Sequence, residues 1–354
     1  MKIAQIAPLY EAVPPRLYGG TERIVAYLSD ALVDLGHDVT LFSSADARTK
    51  AQLVPVRDQA FRLDAHPLKS DLAAHLTMLH EVRRRKDAFD VLHFHTDLLH
   101  FPLFEDIADR TLTTVHGRLD MKDLAEAYAC WPHFRVASIS DRQRAPLPNV
   151  NWAATVQHGV PSDLFRVSPT SGEGYLAFLG RISPEKRVDR AIALASRAGC
   201  RLKIAAKVDA TDDAYFHDQI EPLLDNPLVE FIGEIGDADK SEFLGNASAL
   251  LFPIDWPEPF GLVMIEAMAC GTPVIAWDCG SVPEVIDDGV TGFIVTNEDE
   301  ALAALRRVKS LSRLRIRHVF ERRFSATAMA RRYLGVYARQ IGMAEYEAPL
   351  KNAV

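Results

Sequence analysis

Cysteine is scarce in this chain: there are 4 in 354 residues, none in a C-x-x-C spacing. That excludes a disulfide framework and the common zinc patterns, and points to free thiols in a reducing, cytosolic setting. Long apolar runs are missing as well. No stretch reaches the ~18 residues that a membrane-spanning helix requires. The opening MKIAQIAPLY lacks the apolar centre of a secretory leader and reads as a short strand. Positive charge is not in excess. A formal net charge of -8 gives no general attraction to nucleic acid or to an anionic membrane. The two basic stretches, Arg83 to Lys86 and Arg306 to Arg323, read as solvated helix faces. No G-x-G-x-x-G opens the first domain, which disfavours a dinucleotide oxidoreductase.

What is present is alternation. KIAQIA (2–7), DVTLF (38–42), DVLHF (90–94), TLTTV (111–115) and RVASIS (135–140) have strand character, while 21–35 and 70–86 have the period of amphipathic helices. The pattern restarts with YLAFLG (175–180), RLKIAA (201–206), LVEFIG (228–233), ALLFP (249–253) and TPVIAW (272–277). Strands alternating with helices build parallel sheets, so the expectation is α/β: two Rossmann-like, doubly wound domains facing across a cleft. VPSDLFRVSPTSGEG (160–174), rich in Pro, Ser and Gly, reads as the linker. The domains are therefore set at 1–165 and 172–325, and the segment 326–354, helical over roughly 325–341, is expected to pack back on the first. A ligand would sit at the carboxyl ends of both sheets.

One segment carries chemistry: WPEPFGLVMIE, residues 256–266. A helix beginning at Gly261-Leu262 offers unpaired N–H groups and a partial positive charge, which together suit an anion such as phosphate. Glu266 lies about 6 Å further along the helix axis, and a carboxylate there suits the vicinal diol of a ribose. Glu258 lies on the Pro-rich loop, on the other side of the phosphate. Carboxylate, cradle, carboxylate fits sugar, diphosphate and ribose. A buried Glu266 inside VMIEAMA requires a partner in any case. A second segment, LGRISPEKR (179–187), places Gly180 at a turn, Ser183 as N-cap, Pro184 at the first helical position, and Arg181 and Lys186 beside a helix start. Two cations there can neutralise a diphosphate without a metal.

These segments, with GSVPEVIDDGVTGF (280–293), YGGTE (18–22) and HG (116–117), resemble in content and order the retaining glycosyltransferases of family 4, over nearly the whole chain. The resemblance implies the two-domain GT-B fold, an acceptor-binding first domain and a nucleotide-sugar-binding second one. It implies Arg181 and Lys186 on the diphosphate, Glu266 on the ribose, Glu258 on the donor sugar, and backbone N–H groups of Phe260, Gly261 and Leu262 on phosphate and sugar. Gly19 and Gly20 would pass close to the diphosphate, and His116 would meet the sugar's 6-hydroxyl. The base would lie near Lys207, Val208, Gly233 and Glu234. Tyr18, His95, Asp97 and Arg118 are the acceptor candidates. No metal or other cofactor is implied. UDP-sugars are the first expectation for the donor and GDP-mannose the second. The acceptor would be a saccharide, a glycolipid or a small polyol, as in making cell-envelope polysaccharide or glycolipid. A peripheral membrane contact through the first domain accompanies this reading; nucleic acid does not. Three departures from the family pattern stand out: His158-Gly159-Val160-Pro161, Arg187 after Lys186, and Ala206.

Other constellations compete. His93 and His95 fall on one face of a strand and could share a metal, or the strand end could line the acceptor cleft. Asp237 and Asp239 form a D-x-D that also reads as a helix start. Ser281-Val282-Pro283-Glu284 has the form of a capping box. The alternatives to a transferase are a nucleotide-sugar epimerase of the same fold and a non-catalytic sugar-nucleotide binding module.

Overall fold

The computed structural model describes residues 1–17 and 19–343. Two parallel sheets organise the chain. The first holds β1 (Lys2–Ile6), β2 (Asp38–Ser44), β3 (Gln52–Arg57), β4 (Val91–Phe94), β5 (Thr111–Thr114), β6 (Arg135–Ser138) and β7 (Trp152–Thr155), in the order β3-β2-β1-β4-β5-β6-β7. The second holds β8 (Leu176–Ile182), β9 (Leu202–Val208), β10 (Val229–Gly233), β11 (Ala249–Phe252), β12 (Val274–Trp277) and β13 (Gly292–Val295), in the order β10-β9-β8-β11-β12-β13. Strand order reverses between β1 and β4 and again between β8 and β11. Those two points are where doubly wound sheets open a crevice at their carboxyl ends.

The inner strands are buried on both faces, as apolar runs such as IAQI and ALLF require. Phe42, Leu92, Phe94 and Phe134 belong to the core of the first unit, and Phe178, Ile204, Leu251 and Ile275 to that of the second. Helices Gly20–Asp34, Asp71–Arg84, Leu262–Ala269 and Ala326–Gln340 lie within one or two residues of the stretches expected. β3, β7 and β13 have no counterpart in the sequence reading. All three are edge strands, and β3 carries Pro55 where the ladder has no further neighbour.

The compact units divide at 159/160 and 325/326, with the segment from Ala326 joining the first. Helix Ala326–Gln340 packs against helix Gly20–Asp34, and Gln340 donates from Nε2 to the carbonyls of Asp109 and Thr111. The stretch 160–174, expected as the linker, begins at the division between the units and is tied into the second. Val160 bridges to Ser325, Phe165 is buried, and Arg317 donates to the carbonyls of Ser162 and Phe165 at 2.6 and 2.9 Å. Hydrogen bonds from one arginine thus hold this Pro/Ser-rich segment. Tyr18, one acceptor candidate, and residues 344–354 of the expected C-terminal segment lie outside the described residues.

Candidate active site

In the second unit the side chains expected to bind the donor gather at the switch point. Arg181 stands at the end of β8 and Lys186 in the turn just beyond it; Glu258 lies on the loop after β11. Lys186 Nζ donates to Glu258 Oε2, Trp256 Nε1 donates to the same oxygen at 3.0 Å, and the ammonium lies 4.9 Å from the Trp256 ring centroid. Arg181 is ringed by Glu185 at 2.6 Å, Asp212 at 3.5 Å and Asp209 at 3.7 Å. Both expected diphosphate cations therefore rest on carboxylates of their own unit.

The second helix start expected here is only a single tight turn, Pro184–Lys186, and Ser183 makes no capping bond through its side chain. The helix proper begins at Val188, because Arg187 takes the left-handed conformation, φ 54° and ψ 48°. That backbone explains why glycine suits this position, and ion pairs to Asp189 and Asp255 at 2.9 and 2.6 Å hold an arginine in it.

Gly261 is the N-cap of helix Leu262–Ala269, with φ 79° and no side-chain cap. A Cβ there would meet Met264 at 2.9 Å and Phe252 at 3.0 Å. The helix start thus presents bare backbone. Glu266 is 2% exposed, and its Oε1 accepts from Lys240 Nζ at 2.8 Å. Its Oε2 is buried and without a hydrogen-bond partner among the described residues. Lys240, paired also with Asp237, is the partner that a buried carboxylate requires. It lies 26 positions upstream, on the helix Asp237–Gly245 that the D-x-D opens, and nothing in the sequence ties it to Glu266.

The segment 279–281 clamps the loop 256–260. Cys279 Sγ donates to the Trp256 carbonyl and Ser281 N–H to the Glu258 carbonyl, both at 3.0 Å, and Ser281 Oγ donates to the Phe260 carbonyl at 2.8 Å. The capping box expected at Ser281–Glu284 does not form, because that hydroxyl is committed to Phe260. Lys207 and Val208 end β9 and Gly233 ends β10, next to it in the sheet; Lys207 pairs with Asp209 at 2.6 Å, and Glu234 is exposed.

The first unit has its own cluster where β1, β4 and β5 end side by side. Gly19 caps helix Gly20–Asp34. Its Cβ would fall 2.9 Å from Pro15, so only glycine fits. Glu22 in that helix's first turn is buried, and its carboxylate accepts the Glu11 N–H at 3.2 Å; burial raises its pKa to about 7. His95 is buried, with Nε2 on Gln5 Oε1 at 2.8 Å and Nδ1 on His116 Nε2 at 2.9 Å. Both ring nitrogens of His95, expected to face the acceptor, are thus hydrogen-bonded within the first unit. His93 is likewise occupied, by Tyr337 and Thr114, each at 2.7 Å. A shared metal on His93 and His95 would have to displace four hydrogen bonds, and no cluster of metal-binding side chains exists among the described residues. Burial holds both rings far below the ordinary imidazole range, and His116 at about 3, so all three are neutral. His116 stacks on His158 at 5.2 Å. Asp97 is exposed with φ 48°, and Arg118 pairs with Asp120 at 2.6 Å. The basic run Arg83–Lys86 is ion-paired to Glu81, Asp87 and Asp106, in keeping with a solvated helix face.

Residues 162–324 match the family described as glycosyl transferases group 1, and residues 18–164 match glycosyltransferase family 4. The glycogen synthase of Mycobacterium tuberculosis is 27% identical, with 91% of this chain and 92% of that protein aligned. The phosphatidyl-myo-inositol mannosyltransferase of Mycolicibacterium smegmatis is 26% identical over 84% of this chain and 82% of its own length. Among solved structures, the sucrose-phosphate synthase of Thermosynechococcus elongatus superposes with a TM-score of 0.76 at 19% identity, over 97% of this chain and 100% of that one. Anabaena HepE in complex with UDP and glucose gives 0.73 at 19%, over 96% of this chain and 100% of that one. Two consecutive family matches that leave only the chain's ends uncovered, joined to two doubly wound parallel sheets, place this chain in glycosyltransferase family 4, with the GT-B fold.

Proposed function

We propose that the chain is a retaining hexosyltransferase that takes its sugar from a nucleotide-sugar donor, a UDP-sugar before GDP-mannose, without a metal. The observation that carries the donor site is Glu266. One oxygen is fixed by Lys240, and the other is buried and has no partner among the described residues, behind a bare helix start. A ribose hydroxyl supplies the missing donor, and a diphosphate takes the helix N–H groups. Anabaena HepE, a structural neighbour solved in complex with UDP and with UDP-glucose, supports the choice of base.

Charge dictates the chemistry. Breaking the bond between the anomeric carbon and phosphate places negative charge on the departing diphosphate and positive charge on the sugar. Arg181, Lys186 and the helix start meet the first, once phosphate oxygens replace the carboxylates on which those cations rest. The acceptor hydroxyl attacks from the face of departure and gives its proton to the leaving phosphate, so no enzyme nucleophile is needed. Glu258, held by Lys186 and Trp256, is reserved for donor-sugar hydroxyls. The first unit would select the acceptor, a saccharide, glycolipid or small polyol, through Asp97, Arg118 and the loop before Gly19. Exposed Leu68, Leu72 and Leu76, spaced four apart, favour a peripheral membrane contact of this unit, which co-sedimentation with anionic vesicles tests. Four unpaired cysteines agree with a cytoplasmic setting.

Incubation with single nucleotide sugars, with and without EDTA, is the test. Slow release of free nucleotide that survives EDTA supports the reading. Isomerised sugar would instead mark an epimerase, binding without turnover a non-catalytic module, and a strict metal requirement would overturn the metal-free account. The anomeric configuration of the product decides between retention and inversion.

A further inference from the structure

Gln5 lies near the end of β1, outside every motif that marks the site, and it is fully buried. Its side chain joins two chains of hydrogen bonds. Nε2 donates to the Tyr337 hydroxyl at 3.1 Å, and Oε1 faces His95 Nε2 at 2.8 Å. With the amide oriented so, every later proton position is determined. His95 must carry its proton on Nε2 to give it to Gln5. A neutral imidazole has only one N–H, so His95 Nδ1 holds a lone pair. His116 must then donate to it from Nε2, across 2.9 Å. This leaves a lone pair at His116 Nδ1, an atom that is buried and has no hydrogen-bond partner among the described residues.

The other arm agrees. Tyr337, having accepted from Gln5, gives its own proton to His93 Nδ1, and His93 Nε2 donates to Thr114. That arm ends on the hydroxyls of Thr114 and Tyr333, 2.9 Å apart, which rotate to suit. Turning the Gln5 amide over reverses both arms and puts a proton on His116 Nδ1. A buried N–H without an acceptor is costlier than a lone pair without a donor. The drawn direction is therefore the stable one.

We propose that Gln5 is a positioning residue: through His95 it locks His116 as the Nε2–H tautomer, so that His116 Nδ1 accepts a hydrogen bond from a hydroxyl of the bound sugar. This rests on the assignment of His116 to the donor sugar made above. Tyr337 holds the amide of Gln5 in place, which gives the helix Ala326–Gln340 a part in setting a proton some 200 residues earlier in the chain.

The experiment reads tautomers directly. Long-range nitrogen–proton correlation spectra of the full chain, with His95→Gln and His116→Gln for assignment, are expected to show His116 protonated on Nε2. Gln5→Met is expected to give mixed or reversed tautomers at His95 and His116, with kcat lower by about tenfold or more and KM changed less than about threefold. Tyr337→Phe, which frees the amide, is expected to mix them too and replaces Gln5→Met if that variant does not fold. A proton on His116 Nδ1 in the unaltered protein, or tautomers unmoved in both variants, overturns the proposal. If tautomers move but His116→Ala keeps full activity, His116 does not meet the sugar; the donor-site reading fails at that residue and the positioning role with it.

Discussion

Lys186 rests against Glu258 with its charge balanced and its ammonium over the Trp256 ring. A phosphate must be worth more to it than that carboxylate, and transition-state charge on the leaving diphosphate makes it so. Lys186→Ala is expected to lower kcat/KM by about 100- to 1,000-fold with little change in melting temperature. Near-normal kcat/KM would remove Lys186 from the diphosphate. Glu22 offers a second test, in pH rather than rate. Burial raises its pKa from 4.5 to about 7. The folded chain therefore keeps a proton that the unfolded chain releases, and folding weakens as pH rises from about 4.5 to about 7. The span is worth on the order of 3 kcal/mol. Glu22→Gln still accepts the Glu11 N–H and carries no charge. Its melting temperature is expected to exceed that of the parent at pH 8 and to match it near pH 4.5; equal curves at both would mean that Glu22 stays ionised when folded. Residues of this kind divide sharply in how legible they are. Arg181, Lys186, Glu258 and Glu266 are announced by local spacing, whereas Lys240, Trp256, Gln5 and Tyr337 act through contacts that only folding creates.

At the scale of elements, the motif G-S-V-P-E serves as a brace. Gly280 takes φ 54°, and a Cβ on it would fall 2.4 Å from both the N and the O of Glu258. Bonds from Cys279 and Ser281 fasten the same loop. Gly280→Ala must push the Glu258 loop outward. Misplacement on the order of 1 Å can cost about 100-fold in rate, so activity is expected to fall by about that factor while far-ultraviolet circular dichroism stays unchanged. An active Gly280→Ala enzyme would show that the loop yields without moving Glu258. Elements were legible where burial is two-sided, and also at the edge strand β10, whose VEFIG is rich in β-formers. β1, β4, β8 and β11 are short apolar runs that nothing but a central parallel strand explains. β3, β7 and β13 pair on one side only, so QLVPVR tolerates a proline, and WAAT, half-buried throughout, lacks the apolar run of β4 or β11. The Pro/Ser-rich stretch 160–174 has the composition of a linker, and Arg313 and Arg317 tie its carbonyls into the second unit.

At the scale of the molecule, each unit carries its own core, and the nucleotide contacts proposed here belong to the second. Ligand linkage stabilises the cooperative unit that holds the site. At 100-fold excess over its dissociation constant, a nucleotide adds about 2.7 kcal/mol. For a unit of this size each kcal/mol moves the midpoint by about 2–4 °C. The cognate nucleoside diphosphate is therefore expected to raise the second unit's transition by roughly 5–10 °C, and EDTA is expected to leave that rise intact. Hydrogen exchange on the same complex locates the effect: slower exchange is expected over 180–187, 256–266 and 279–284, the segments that carry Arg181, Lys186, Glu258, Glu266 and the brace. UDP raising the midpoint where GDP and ADP do not would fix the base; the same result from GDP would move the donor to GDP-mannose. A rise that EDTA abolishes would mean that a metal, and not Arg181 and Lys186 alone, balances the diphosphate. If no nucleotide moves the midpoint, the carboxylates around Arg181 and Lys186 hold those cations too firmly for phosphate to displace them, and the nucleotide site drawn from WPEPFGLVMIE is wrong.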